Sequence, residues 1–297
     1  MIRALSTPLS YRLSLRHLEQ LLRTDYVNAF PLSLSILEHL LRIDRTAILS
    51  DLDNHLSESE YKAFDSICWQ IKDGIPLSYI LHTSVFFGLN FFVAPTVLIP
   101  RPETELLIEL LLREINIARV PNLRLLEFGT GSGCIPVSLI NNTSHQNYHI
   151  VSTDVSRKSL KVARYNAEAL LGINYREKLT FINQDIFSKQ PKGNFDIIFS
   201  NPPYIPINEY NKLGNSLYYE PKEALTDGSD GLLFYRKFGD IINLSLKTEG
   251  ICFFEIHSNY AEEVKSVFEE TIKRSFKSII HRDIFGRNRV IELRFNW

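Results

Sequence analysis

The sequence predicts an α/β protein in which a helix-wound, mostly parallel sheet follows a small all-helical segment. Three observations carry this. Residues 12–74 show helical periodicity and no strand texture. Beyond them, the short apolar runs LRLLEFG, HIVSTDV, LTFINQDI, FDIIFS and GICFFEI are separated by helical patterns, as in a parallel sheet wound with helices. Within LLEFGTGSGCIPVSLI, a strand passes through closely spaced glycines straight into a helix, a turn that lets backbone N–H groups approach a ligand.

Each element has a local reason. Leu15, Leu18, Leu21 and Leu22 share one face of a first, basic helix, and Ile36, Leu37, Leu40 and Leu41 mark a second. Ser57, three residues before Glu60, has capping-box spacing for a third helix, with Tyr61, Phe64, Cys68 and Ile71 on one face and a stop at Gly74. These stripes serve as bundle core, and an exposed face could also meet a partner. The stretch YILHTSVFFGLNFFVAP carries two apolar segments around Gly88-Leu89-Asn90, a hairpin that links the bundle to the sheet. The tail, FKSIIHRDIFGRNRVIELRF, has two strand-like segments about Gly286 with no helix between them, and predicts an antiparallel pair at the sheet edge. The expected organisation is a helical domain over 1–75, a hairpin linker over 76–100 and a catalytic domain over 101–297.

Composition excludes several function classes. The 297 residues carry a formal net charge of −1, with a pI near 6.7, so the chain has no broad field for gripping a nucleic-acid backbone. Cys68, Cys134 and Cys252 lack the short spacing of a zinc or redox pair, and their odd number argues against a disulfide framework. A reducing cytoplasm is expected. No run approaches the roughly 18 continuous apolar residues of a membrane span. The first twenty residues hold three arginines and no acid before Glu19, a composition shared by transit peptides and basic first helices; the leucine stripe favours the helix. His145 and His149 have helical ligand spacing, but they lie where a loop enters a strand with no carboxylate between them, so no metal site is expected.

The candidate site lies at successive strand ends. Glu127, Gly129, Gly131 and Gly133 follow a Glu-x-Gly-x-Gly-x-Gly pattern that differs from the dinucleotide fingerprint and suits a nucleoside ligand better than a pyrophosphate. Asp154 ends the next strand, where an acid either takes ribose hydroxyls or caps the helix starting near Ser156. Asp185 ends the third, as a ligand acid or a strand terminator. The fourth apolar run stops at Asn201-Pro202-Pro203-Tyr204, an amide and a phenol held by two rigid residues where open α/β sheets bind ligands.

This order of motifs resembles the S-adenosylmethionine-dependent methyltransferases. The resemblance implies a Rossmann-like seven-stranded methyltransferase sheet with an antiparallel last strand, preceded by a small N-terminal helical bundle and a β-hairpin linker. It implies that Glu127, Gly129, Thr130, Gly131, Ser132, Gly133, Asp154, Asp185, Ile186 and Asn201 hold S-adenosyl-L-methionine. It also implies that Asn201, Pro202, Pro203 and Tyr204 bind the substrate, with Asn201, Pro202 and Tyr204 catalytic. Asn-Pro-Pro-Tyr is shared by enzymes that methylate planar amine or amide nitrogens, in DNA, ribosomal RNA or protein glutamine. Residues 76–109 and 219–238, with the helical domain, look like the release-factor glutamine methyltransferase family (PrmC/HemK). Arg101-Pro102-Glu103-Thr104-Glu105 separates this chain from the sister enzymes that act on a large-subunit ribosomal protein. Class I peptide chain release factors are then the expected partners, the chain is expected to be a monomer, and no direct nucleic-acid or membrane contact is expected. His82, His257 and Tyr260 stand where the family commonly has glycine, glycine and glutamine.

A glutamine amide nitrogen is a poor nucleophile because its lone pair is delocalised into the carbonyl. To attack a methyl group it must pyramidalise, and its two hydrogens become more acidic. Acceptors placed for that geometry bind the transition state better than the ground state. Asn201 can supply its side-chain oxygen, and the resemblance implies the backbone carbonyl of Pro202 as the other. Pro203 restricts Pro202 to an extended conformation and so aims that carbonyl. The Tyr204 ring can lie against the flat amide. The competing expectations are a nucleic-acid amino-methyltransferase and a non-enzymatic cofactor-binding adaptor. Asp51, Asp53, Glu58 and Glu60 in the helical segment weigh against the first, and retention of Asn-Pro-Pro-Tyr against the second.

Overall fold

The computed structural model describes residues 9–23, 26–118, 120–143, 147–189 and 193–295; His145 and the first eight residues, with the arginine at position 3, lie outside them. The chain divides into two compact units, Met1–His82 and Thr83–Trp297.

The first unit is helical. Helix α1 (Tyr11–Leu22) starts at Ser10, whose hydroxyl accepts from the Leu13 N–H, and buries Leu15, Leu18 and Leu22. Helix α2 (Ala29–Leu41) ends where Arg42 takes a left-handed conformation. Asp44 caps the short α3 (Arg45–Ser50). In α4 (Glu58–Lys72) the capping box closes in both directions: Ser57 Oγ accepts from the Glu60 N–H, and the Ser57 N–H donates to the Glu60 carboxylate at 2.7 Å. Gly74, at φ +84°, supplies the left-handed exit. After α5 (Leu77–Ile80), His82 holds φ +52°, a backbone that glycine adopts without cost and a histidine adopts only under local strain. Leu18, Ile36, Leu37, Ile48, Phe64 and Cys68 form the centre of this unit.

The second unit opens with the hairpin β1 (Thr83–Phe86) and β2 (Leu89–Phe92). Its turn is Phe87-Gly88, both at positive φ, closed by the pair Phe86↔Leu89. Leu89 and Asn90 therefore belong to the strand and not to the turn as the sequence suggested: two positive-φ residues match the twist of the flanking strands, and a longer loop is unnecessary.

Helix α6 (Glu105–Ile117) precedes the sheet. The chain continues through β3 (Leu123–Phe128), α7 (Cys134–Asn142), β4 (Tyr148–Asp154), α8 (Arg157–Leu171), β5 (Leu179–Asn183) and β6 (Phe195–Ser200). The short α9 (Ile207–Tyr210) and α10 (Lys222–Leu225) follow, then α11 (Leu233–Ser245), β7 (Leu246–Glu255), α12 (Ala261–Thr271), β8 (Phe276–Arg282) and β9 (Asn288–Phe295). The seven strands lie in the order β5-β4-β3-β6-β7-β9-β8. Strands β3 to β7 pair in parallel, and the last strand, β9, is inserted antiparallel to both its neighbours.

Both faces of the sheet are covered, which is why the strands read as unbroken apolar runs. Leu125, Ile197 and Phe253 face the layer that holds α6, α7 and α8, while their neighbours Leu126, Ile198 and Phe254 face α11 and α12. Phe238 of α11 stacks on Phe254 with ring centroids 4.7 Å apart. The single acid inside β6 is paired: Asp196 accepts from Lys247 Nζ at 2.7 Å and from the Arg124 N–H at 2.8 Å. Lys247 sits in a polar first half of β7 that extends the strand back from the apolar run seen in the sequence.

The topology places the site. From β3 the chain winds outward through β4 and β5, then returns to the other side of β3 with β6 and β7. A crevice opens where winding reverses, outside the carboxyl ends of β3 and β6.

Candidate active site

The loop after β3 runs Gly129-Thr130-Gly131-Ser132-Gly133, with all three glycines at positive φ. At Gly133 the need is also steric, because a Cβ there would meet the Ala163 backbone and side chain of α8 at 3.1 Å. Around Gly131 nothing lies within 4 Å of such a Cβ, so the loop presents bare backbone to open space. Asn166 of α8 clamps the far side: its amide donates to the Ser132 carbonyl at 2.8 Å and exchanges hydrogen bonds with the N–H and C=O of Phe92.

Glu127 lies fully buried beneath this loop, and neither carboxyl oxygen has a hydrogen-bond partner. Burial pushes its carboxyl up to about 7, and the neighbouring Ser152 and Thr130 hydroxyls offset that only in part. Neither hydroxyl closes a hydrogen bond onto it; Thr130 and Ser152 are themselves unpartnered. A buried, unsatisfied carboxyl beside a bare glycine loop fits a ligand that brings positive charge and hydrogen-bond donors.

Asp154 ends β4 and is almost fully buried. One oxygen accepts from the Gly131 N–H at 2.9 Å and the other from the Ser156 N–H at 2.8 Å. The cap of α8 is Ser156, whose hydroxyl accepts from Ser159; Asp154 instead ties the glycine loop to the entry of that helix. Burial raises its carboxyl, and the two N–H donors oppose the shift.

Asp185 does not end a strand. Strand β5 stops at Asn183, and Asp185, exposed, turns the chain by accepting from the Phe187 N–H at 2.9 Å. The last β4–β5 pair is Asp154↔Asn183, so pairing ends where β4 ends and the acid falls in the following turn. Ile186 beside it is buried.

One cavity of about 220 Å³ is lined by Gly129, Gly131, Asp154, Asp185, Ile186, Asn201, Pro202 and Pro203, among others, while the expected cofactor residues Glu127, Thr130, Ser132 and Gly133 are not part of its lining. A second cavity of about 250 Å³ is lined by Leu98, Arg101, Asn201, Pro202, Tyr204 and Leu225, among others. Leu98, Asn201, Pro202 and Ala224 line both and so form the partition between them, with Asn201 supplying its polar side chain.

Residues that the sequence reading assigned no role hold this partition. The Asn201 amide donates to Thr104 Oγ1 at 3.1 Å, Thr104 donates to the Glu255 carboxylate at 2.7 Å, and the Tyr204 hydroxyl donates to the same carboxylate at 3.0 Å. Burial raises the Glu255 carboxyl, while the Thr104 and Tyr204 hydroxyls and the nearby Arg289 guanidinium lower it. Burial holds the Tyr204 phenol well above its ordinary range, so it remains a proton donor. Glu220 receives the Arg101 guanidinium and the Ile99 N–H, which secures the rim of the second cavity. Asp227 gathers the N–H groups of Ser229, Gly231 and Leu233, and the resulting loop places Gly231 so close to the Tyr204 carbonyl that a Cβ would sit 2.6 Å from it.

The two departures near the site form a cluster. The His257 ring packs against Tyr204 and Tyr260, with centroids 6.1 Å and 4.9 Å away, and the Tyr260 hydroxyl donates to Glu209. His149 lies in β4 and not in a loop, with both ring nitrogens hydrogen-bonded. Among the described residues, no group of three or more His, Cys, Asp or Glu could hold a metal ion, and no helix is long and apolar enough to cross a membrane.

A signal for Glu255 was available: it is an acid at the carboxyl end of a buried strand, the position that singled out Asp154. Thr104 had only its place in Arg-Pro-Glu-Thr-Glu.

Comparison with known proteins agrees with this architecture. Residues 102–239 match the methyltransferase small domain family, and residues 14–81 match the PrmC N-terminal domain. The catalytic domain of hMettl16, solved in complex with the MAT2A 3′UTR hairpin 6, shares the fold with a TM-score of 0.52 at 15% identity, over 81% of this chain and 83% of that one. The release factor glutamine methyltransferase of Flavobacterium psychrophilum is 36% identical over 265 residues, 88% of this chain and 90% of that protein. That of Bacillus cereus is 34% identical over 260 residues, 86% of this chain and 89% of its own length. On sequence identity sustained across most of both partners, the chain belongs to the release factor glutamine methyltransferase family.

Proposed function

We propose that this enzyme transfers a methyl group from S-adenosyl-L-methionine to the side-chain amide nitrogen of the glutamine in the Gly-Gly-Gln motif of class I peptide chain release factors. One observation carries the reading: Asn201 and Pro202, together with Leu98 and Ala224, line two cavities at once. One cavity has the bare glycine loop and acids that suit a cationic nucleoside, and the other has room for a side chain.

Glu127, Asp154, Asp185 and Ile186, with the Gly129–Gly133 loop including Thr130 and Ser132, would hold the cofactor. When bound, it supplies an electrophilic methyl group on a sulfonium. The target amide would enter the second cavity past Leu98 and Tyr204. There Asn201 Oδ1 accepts one amide hydrogen and the Pro202 carbonyl accepts the other as the nitrogen pyramidalises. Pro203 keeps that carbonyl aimed, and Tyr204 fixes the plane of the amide and excludes water. Because these acceptors are set before the reaction, their stabilisation is greatest at the transition state.

Residues 1–75 are assigned to recognition of the release factor, 76–100 to a hairpin linker and 101–297 to methyl transfer. A lone glutamine offers too little surface to position itself, so remote contacts must supply binding energy. The enzyme is assigned to the cytoplasm, where its substrate is made, and to a monomeric state. The test offers methyl-labelled cofactor to purified release factor, the large-subunit ribosomal protein and DNA in one reaction. Label on the release-factor glutamine is expected; label on either competitor alone overturns the assignment.

A further inference from the structure

We infer that Thr104 and Glu255 are positioning residues that decide which face of the Asn201 amide is turned to the substrate and anchor Tyr204 beside it. This rests on the glutamine-methylation reading. The argument is one of proton supply. Glu255, fully buried at the end of β7, accepts from the hydroxyls of both Thr104 and Tyr204, at 2.7 and 3.0 Å. A hydroxyl is directed at each of its two oxygens, so it stands as an acceptor toward both; burial raises this carboxyl, and the two hydroxyls and the nearby Arg289 guanidinium oppose that shift.

The single Thr104 proton is therefore committed to Glu255, and the Thr104 oxygen can only accept. Asn201 stands 3.1 Å away and must present its NH₂ to that oxygen. Its Oδ1 is then the atom turned away from Thr104. A flipped amide would set oxygen against an oxygen with no proton to give, and would offer the substrate amide two donors where it needs an acceptor. Tyr204 is fixed by the same carboxylate, so one buried acid orients both side chains of the partition.

The test uses the full chain with purified release factor. Thr104→Val keeps the shape and removes the hydroxyl; Thr104→Ser keeps the hydroxyl. T104V should lower kcat about 10-fold to 100-fold while the cofactor Kd stays within about twofold, and T104S should stay within a few-fold of the parent. Since Thr104 acts through Asn201, T104V should cost no more than about twofold further in an Asn201→Ala background. Should T104V unfold, Glu255→Gln, which puts a donor amide among two hydroxyl donors, is expected to lose activity, and that loss should be smaller in an Asn201→Ala background, where only the part transmitted through Tyr204 remains. An undiminished kcat, or a loss of equal size with and without Asn201, overturns the inference. Hydrogen exchange of the Asn201 side-chain NH₂ gives a readout free of substrate: slow in the parent and fast in T104V. If the parent protein leaves release factor unmethylated, the functional reading fails; unchanged NH₂ exchange in T104V sinks the orientation claim separately.

Discussion

Replacing Glu127 by glutamine isolates a single titration. In the folded protein this carboxyl is pushed from 4.5 up to about 7 by burial, with no hydrogen bond to either oxygen. The unfolded chain loses the proton near the ordinary carboxylate value and the folded chain retains it until about 7, a separation of about 2.5 in pKa. Between those limits the native state holds one more proton than the unfolded state. The raised pKa therefore contributes stability that is fully present below about 4.5 and is lost as pH rises through about 7. The slope is about −1.4 kcal/mol per pH unit and the total about 3 kcal/mol. Glu127→Gln removes the titration but keeps the shape. Urea unfolding of both proteins at pH 5, 6, 7 and 8, followed by circular dichroism, should show their stability difference moving by about 3 kcal/mol in favour of the variant across that range. A pH-independent offset from the amide itself does not affect this comparison. Parallel curves for the two proteins would refute the reasoning, because they would mean that Glu127 ionises alike in both states. The same logic predicts that S-adenosylmethionine, by bringing positive charge to the loop, releases up to about half a proton on binding at pH 7, where a group titrating at about 7 is half protonated. Calorimetry in buffers of different ionisation enthalpy measures that proton, and the variant should not release it.

Asp154→Ala should weaken cofactor binding in a folded protein, because the charged acceptor that also holds the Gly131 and Ser156 N–H groups is lost; about 1.5 to 3 kcal/mol by calorimetry is expected, and unchanged affinity would reduce Asp154 to a loop tie. Asn201→Ala should cost about 100-fold to 1,000-fold in single-turnover rate at saturating cofactor while cofactor affinity holds, and a near-normal rate would remove Asn201 from the mechanism. Gly231→Ala should lower the thermal midpoint, since a φ of +82° costs a residue with a Cβ about 1 to 2 kcal/mol. The 2.6 Å approach to the Tyr204 carbonyl adds to this and should lower turnover as well; a variant with parental stability and rate would mean that the loop yields freely.

Features encoded at short range could be read directly from the chain. The capping box at Ser57, the helix stop at Gly74, the strand-to-helix glycine loop and the antiparallel tail are written in neighbours a few residues apart, where side-chain period and backbone freedom decide conformation. The order of acids and amide along successive strand ends was legible for the same reason, because a wound sheet brings every carboxyl end to one edge. What governs the partition was not. Asn201 and Thr104 are 97 residues apart, and Thr104 and Glu255 are 151 apart, so their relay exists only after α6 packs against the sheet. The partner of Asp196, a lone acid inside a buried strand, comes from β7, which sets Lys247 against it, and Asp185 falls beyond its strand because pairing stops where β4 stops. Hydrogen bonds between distant segments leave no period in the chain. Burial selects them, by making an unpaired acid or amide too costly to leave unmatched, and burial is decided only when the sheet and its helices close.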